Sequence, residues 1–183
     1  MNLIPQVRGE RSKEWHRNIS EIKPCSMRSW LHFLASNTIP SDMVLRCYDW
    51  AQQASWGYEY IVSGFSSHLE QRVLHFLIKG TCPIILVLAR KMYKRVSEEL
   101  QPLLYNGRLL IISTTSATRQ SRNTAYARNQ YICELVDKVI MVGVDEGSSL
   151  VPLKENFSNK LHSIFSPITC STMKFSLLTL KHQ

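Results

Sequence analysis

Seven cations cluster where an α/β chain would place its chemistry. Arg90, Lys91, Lys94, Arg95, Arg119, Arg122 and Arg128 follow short apolar runs, while the rest of residues 41–150 holds five Lys or Arg. Hydroxyls lie around the same positions: Ser63, Ser66, Ser67, Ser113, Thr114, Thr115, Ser116, Ser121, Ser148 and Ser149. Guanidinium forks, hydroxyls and the free N–H groups of helix starts are the usual ligands of phosphate. The pattern therefore points to an anion-binding edge. It does not point to catalysis. Glu70, Glu134 and Glu146 have no identifiable paired partner, and His68 and His75 share no metal-ligand spacing with a carboxylate. No catalytic residue, metal or cofactor is expected.

Each candidate also has a plainer use. The cations of 90–95 could form the solvated face of a helix start, although a cation in a first turn opposes the helix dipole unless an anion is near. Arg128-Asn129, early in a helix, could simply tie that helix to a neighbouring loop. Tyr93, Tyr126 and Phe65 could stack on bases or pack into the core.

The elements that must position these residues can be read from the apolar pattern. The organising stretch is 107–150, with short buried runs at 108–113 and 138–144. Between them lies a helix with Ala127, Tyr131, Ile132 and Leu135 on one side. Upstream, 58–64 reads as a strand, 66–79 as a helix ended by Gly80, 83–89 as a strand and 91–105 as a helix. The run PIILVLA suits a strand covered on both faces. Helices are expected over 26–36 and from 41 to about 55, and a short one is allowed over 12–21. Past Leu150 the pattern loses its clarity: 151–163 reads as an irregular link that allows a short helix, and 166–180 is either an edge strand or a tail. Alternation of this kind predicts a Rossmann-like three-layer α/β sandwich, with a mostly parallel sheet of four to six strands and N-terminal helices. Ligands of such sheets bind beyond the carboxyl ends of the strands, which is where the cations fall.

The charge is spread unevenly over a chain of net charge +8. Residues 1–40 carry six Lys/Arg against three Asp/Glu, and residues 151–183 carry four against one. Residues 41–150 carry twelve against ten. This divides the chain into a partly helical N-terminal extension (1–40), a Rossmann-like domain (41–150) and a basic C-terminal tail or edge element (151–183). No run approaches the length of about 18 apolar residues that a membrane span needs, and the N-terminus turns charged too soon for a secretory signal. A cytoplasmic protein with no membrane partner is expected. The five scattered cysteines, with no CxxC pair, read as reduced and buried thiols.

Four motifs in order carry a family resemblance. They are Ile61-Val62-Ser63-Gly64, the strand 84–89, the strand 109–113, and Arg128-Asn129 followed by an apolar strand and Gly147-Ser148-Ser149-Leu150. Together they resemble the DNA-processing protein A (DprA/Smf) family, within the Rossmann-like SMF/LOG (SLOG) superfamily, over roughly residues 41–150. The family has strands ending in Ser-Gly and Ser-Glu, an Arg-Asn-Arg-Ile segment and a Gly-Ser-Leu turn. The resemblance implies single-stranded DNA binding without catalysis, a homodimer, and a recombinase partner in DNA uptake and recombination. It completes the candidate site as Ser63, Gly64, Ser66, Arg90, Lys91, Arg119, Arg122, Arg128, Asn129, Gly147, Ser148 and Ser149. The chain departs from the family in five places. No strand is read before residue 41; bulky Phe65 and Leu69 occupy a loop that is small and Gly-containing in the family; Ala89-Arg90 stands where the family has glycine; Gln130 replaces the second Arg; and the family's next helix and final strand are not recognisable beyond Leu150. The picture is of a divergent or shortened member.

Other uses of the same fold compete. A sensor of a nucleotide derivative would suit Asp145 or Glu146, since a carboxylate can take a ribose hydroxyl but repels a polyanion. An enzyme of the LOG branch would need a Pro-Gly-Gly turn followed by Thr and a catalytic Glu, which this chain lacks. Loss of the glycines also allows an interaction scaffold with no ligand.

Overall fold

The computed structural model describes residues 28–164. Its core is a five-stranded sheet in the order β4-β3-β2-β1-β5, with every neighbouring pair parallel. The strands are β1 (Trp30–Ala35), β2 (Tyr60–Ser63), β3 (Ile84–Leu88), β4 (Leu109–Ser113) and β5 (Lys138–Val142). The helices are α1 (Ser41–Ala54), α2 (His68–Leu77), α3 (Gln101–Tyr105), α4 (Arg122–Leu135) and α5 (Val151–Asn156). The fold is α/β and Rossmann-like, as the alternation of elements required.

The helix expected over 26–36 is instead a strand. β1 pairs with β2 on one side and β5 on the other, and all six of its residues are buried. A strand covered on both faces loses the alternation that marks a half-exposed one. Met27, Trp30, Leu31 and Leu34 happen to fall at helical spacing, so period alone misleads here. The sheet therefore begins upstream of residue 41, inside the stretch expected to be an N-terminal extension. The helix allowed over 12–21 and the elements of 166–180 lie outside the described residues.

The helix expected over 91–105 shrinks to α3. Residues 90–100 form an irregular connection, held by the Lys91 N–H donating to the Ala117 carbonyl at 2.7 Å and Ser113 Oγ donating to the Arg90 carbonyl at 2.7 Å. Pro102 lacks an N–H and is tolerated only in a first turn, so a helix containing it must start at about Gln101.

Helices cover both faces of the sheet. Leu31, Phe33 and Ala35 of β1 meet Cys47, Trp50, Ala51 and Ala54 of α1 and Leu69, Val73 and Leu77 of α2. The Phe33 and Trp50 rings stack 5.0 Å apart, a contact of about 0.5–1.5 kcal/mol beyond the area it buries. On the other face Trp30, Val62, Ile85, Val87 and Val139 meet Ile132, Cys133 and Val136 at the end of α4. α5 adds Leu153 against Leu34 on that face, and Leu161 extends the edge beyond β5 through a lone bridge to Val139. Among the described residues no helix is long and apolar enough to cross a membrane.

Cys47, Cys82 and Cys133 are free and buried. Burial pushes the Cys47 and Cys133 thiols up to about 12 and the Cys82 thiol up to about 11, the last opposed by Arg108. A thiol held that high forms almost no thiolate near pH 8, and the thiolate is the nucleophile. These three are expected to react with an aromatic disulfide reagent only after unfolding. Comparing titrated thiols in native buffer and in guanidinium checks this; full titration of all five cysteines in the native protein would refute it.

Candidate nucleic-acid interface

The candidate residues separate into three groups at the carboxyl ends of the strands. The first group is interior. Arg128 is 2% exposed and Asn129 6% exposed, because α4 turns these two polar residues toward the sheet beside Ile132 and Cys133. Ala127, expected to face inward, is exposed. Arg128 Nε donates to Asn129 Oδ1 at 2.9 Å, one terminal nitrogen donates to Ser66 Oγ at 3.0 Å, and the other reaches the Val87 carbonyl at 3.5 Å. The guanidinium lies against Gly64, where a Cβ would collide with it. A side chain at position 64 would have to displace the Arg128 guanidinium from this place.

Glu70, which was not among the candidates, completes this brace. It is 2% exposed and its Oε1 accepts the Ala35 N–H at the end of β1, at 3.0 Å. Its Oε2 accepts the Ser66 N–H at 2.7 Å and the Ser67 N–H at 3.2 Å, and Ser67 Oγ caps the Glu70 N–H in return. Burial pulls the Arg128 pKa down from its ordinary value, and the Glu70 carboxylate opposes that shift. The Ser66 hydroxyl links the two charges. The Ser-x-x-Glu capping box was legible as Ser67 and Glu70. What the capping pattern does not show is that the same carboxylate also holds the end of β1.

The loop between β2 and α2 keeps its bulky residues away from this edge. Ser63 Oγ accepts the Phe65 N–H at 3.2 Å, and Phe65 takes φ 44°. This is the left-handed region, uncommon for a large side chain. The turn sends the Phe65 ring into the α1–α3 face of the core, where Leu69 also packs. Both residues are fully used there.

The second group is a surface. Two connections, β3–α3 and β4–α4, are tied together by the Lys91–Ala117 and Ser113–Arg90 hydrogen bonds. That link puts Arg90 and Lys91 beside the loop that carries Arg119 and leads to Arg122. Lys91, Arg119 and Arg122 are exposed and make no ion pair with another described residue. Arg122 is the first residue of α4, inside the Ser121–Thr124 capping box, where a cation is unfavourable without an anion.

The third group lies elsewhere on the edge. The strand order reverses at β1, so the crevice typical of this fold falls between β1 and β5. There the β1–α1 connection lies close against Gly143, whose φ is 69°. An added Cβ would meet Ile39 Cγ1 at 2.7 Å and the Thr38 carbonyl at 2.8 Å. Gly147 and Ser149 are exposed in the turn before α5, and Ser148 Oγ accepts the Leu150 N–H at 3.2 Å. Asp145 and Glu146 are exposed in the same turn.

No protein-family model matches the chain, and no curated protein matches it in sequence. Solved structures do match it in shape. DNA processing protein A (DprA) from Streptococcus pneumoniae superposes with a TM-score of 0.58 at 14% identity, over 74% of this chain and 50% of that one. DNA processing protein A from Helicobacter pylori, whose structure is described for its unique single-stranded DNA binding mode, gives 0.56 at 15% identity, over 74% of this chain and 64% of that one. The chain thus spans half of the first protein and just under two-thirds of the second. A molybdenum cofactor binding protein from Rippkaea orientalis also matches, with a TM-score of 0.48 at 13% identity, over 75% of this chain and 90% of that one. At these identities the likeness establishes the fold that the chain shares with the DprA structures.

Proposed function

We propose that this protein binds single-stranded nucleic acid without catalysing a reaction, through the paired β3–α3 and β4–α4 connections. The observation that carries the reading is the cross-link between those two loops, which gathers Arg90, Lys91, Arg119 and Arg122 on one edge of the sheet. Three of these cations are exposed with no acidic partner among the described residues. Such a track suits a phosphate backbone, which needs several cations in a row more than it needs one deep pocket. The fold shared with a protein described for single-stranded DNA binding supports the same choice. In this reading Arg128, Asn129, Ser63, Gly64 and Ser66 shape the edge from inside, and the outer cations touch the ligand.

The test is binding of a labelled oligothymidylate of about 20 nucleotides, titrated against salt, with an Arg119→Ala/Arg122→Ala double variant beside the wild type. Each phosphate contact adds about 0.7 to the log–log salt slope for single strands. The double variant is expected to bind about 10- to 100-fold more weakly at low salt, with a slope shallower by about 1.4. Unchanged affinity and slope would move the binding to the basic ends of the chain. Saturable binding of a mononucleotide, with no gain from a longer strand, would favour a nucleotide sensor.

A further inference from the structure

Of the three aromatic side chains available for stacking, two are taken up by packing. Phe65 is 5% exposed in the core, and Tyr126 packs with Leu34, Leu150 and Leu153. Tyr93 differs. It rests against the core on one side and lines an open groove of about 620 Å³ with Arg90, Arg95, Val96, Glu98 and Leu100. The Arg90 guanidinium lies over its ring, 4.6 Å from the centroid. The carbonyl of Arg90 and the N–H of Lys91 are both fixed to the neighbouring loop, so this platform is held on the basic edge.

We infer that this groove seats one base of the bound strand, stacked on the Arg90–Tyr93 pair, and that it favours guanine. The inference rests on the nucleic-acid reading above. A guanidinium laid over an aromatic ring presents its own outer plane, and that plane holds any base, because every base has a face to stack. The preference comes from the rim. Arg95 and Glu98 stand 3.9 Å apart, 83% and 89% exposed at their side chains, so both are open to a ligand. They offer a donor fork next to a two-oxygen acceptor. The guanine edge presents the complement: O6 accepts, and the adjacent N1–H and N2–H both donate to one carboxylate. Adenine has an amino group in place of O6 and lacks the N1–H. Thymine offers a single N–H. Cytosine is the nearest competitor, with one amino group for Glu98 and acceptors for Arg95.

The experiment compares an all-thymidine strand with the same strand carrying one central guanine, by fluorescence anisotropy at fixed salt. The wild type is expected to bind the guanine strand about three- to tenfold more tightly. Tyr93→Leu is expected to lose about fivefold or more on both strands, and Tyr93→Phe, which keeps the ring, to bind as wild type. Glu98→Gln is expected to remove the guanine preference, read as the ratio of the affinities for the two strands. Salt-dependent binding that Tyr93→Leu leaves intact overturns the base seat alone. Equal affinity of the wild type for the two strands overturns the guanine preference. No binding of either strand overturns the parent reading together with this one.

Discussion

Glu70→Ala is expected to remove about 3–5 kcal/mol of folding stability, read as a lower urea midpoint at an unchanged slope. Three losses combine in that figure. The Ala35 N–H at the end of β1 is left buried without its acceptor, which costs about 1–3 kcal/mol. The capping box at the start of α2 loses one half, and the Ser66 and Ser67 N–H groups lose their shared oxygen. Arg128, 2% exposed, loses the carboxylate that offsets its burial. This last effect can be isolated. Arg128→Ala alone removes a buried cation and leaves Glu70 with its backbone donors, so it should cost less than Glu70→Ala. The double variant should cost less than the sum of the two, because no unpaired cation then remains. Strict additivity would show that the two charges do not sense each other across the Ser66 hydroxyl.

The brace also explains why part of the site was legible in the sequence and part was not. Arg128 and Asn129 stood out as polar residues at a helix start. In an exposed setting that pattern marks a ligand site, but here the helix turns them under the sheet edge, and the absence of a Cβ at Gly64 makes room for the guanidinium. Polarity alone carries no information about which way a helix is rotated. The strands β2 to β5 were legible because each is a short apolar run bounded by polar turns. β1 was not, because its one polar member, His32, breaks the apolar run and is itself fully buried. Ahead of α3, Met92, Val96 and Leu100 reach the core from an irregular connection at spacing that imitates a helix, so the start of that helix was not legible. Pro102 was the signal against an earlier start. The outer cations could be assigned to the sheet edge from sequence because they follow buried strands, a relation fixed by topology and independent of side-chain detail.

His32 gives the second large effect, and it depends on pH. Its ring is fully buried in β1, with Nδ1 2.8 Å from the Val62 carbonyl and Nε2 without a partner among the described residues. Burial, assisted by the nearby Arg128 charge, pulls its pKa from 6.5 down to about 3, and the bond to Val62 only partly opposes this. The neutral ring therefore donates from Nδ1, while a protonated ring would place a second cation beside Arg128. Between about pH 6.5 and 3 the unfolded chain holds the His32 proton and the folded chain does not. The contribution of this residue to stability is complete above about pH 6.5 and falls as the pH drops through that interval, by about 1.4 kcal/mol per unit. By pH 5 the expected loss is about 2 kcal/mol relative to pH 7.5. His32→Asn keeps a donor close to the Nδ1 position and cannot titrate. Urea unfolding of both proteins at pH 7.5, 6 and 5 should show the wild type losing stability faster than the variant by that amount. Profiles that run parallel would mean that His32 takes up its proton without cost in the folded chain, which would require an acceptor for the charge at Nε2.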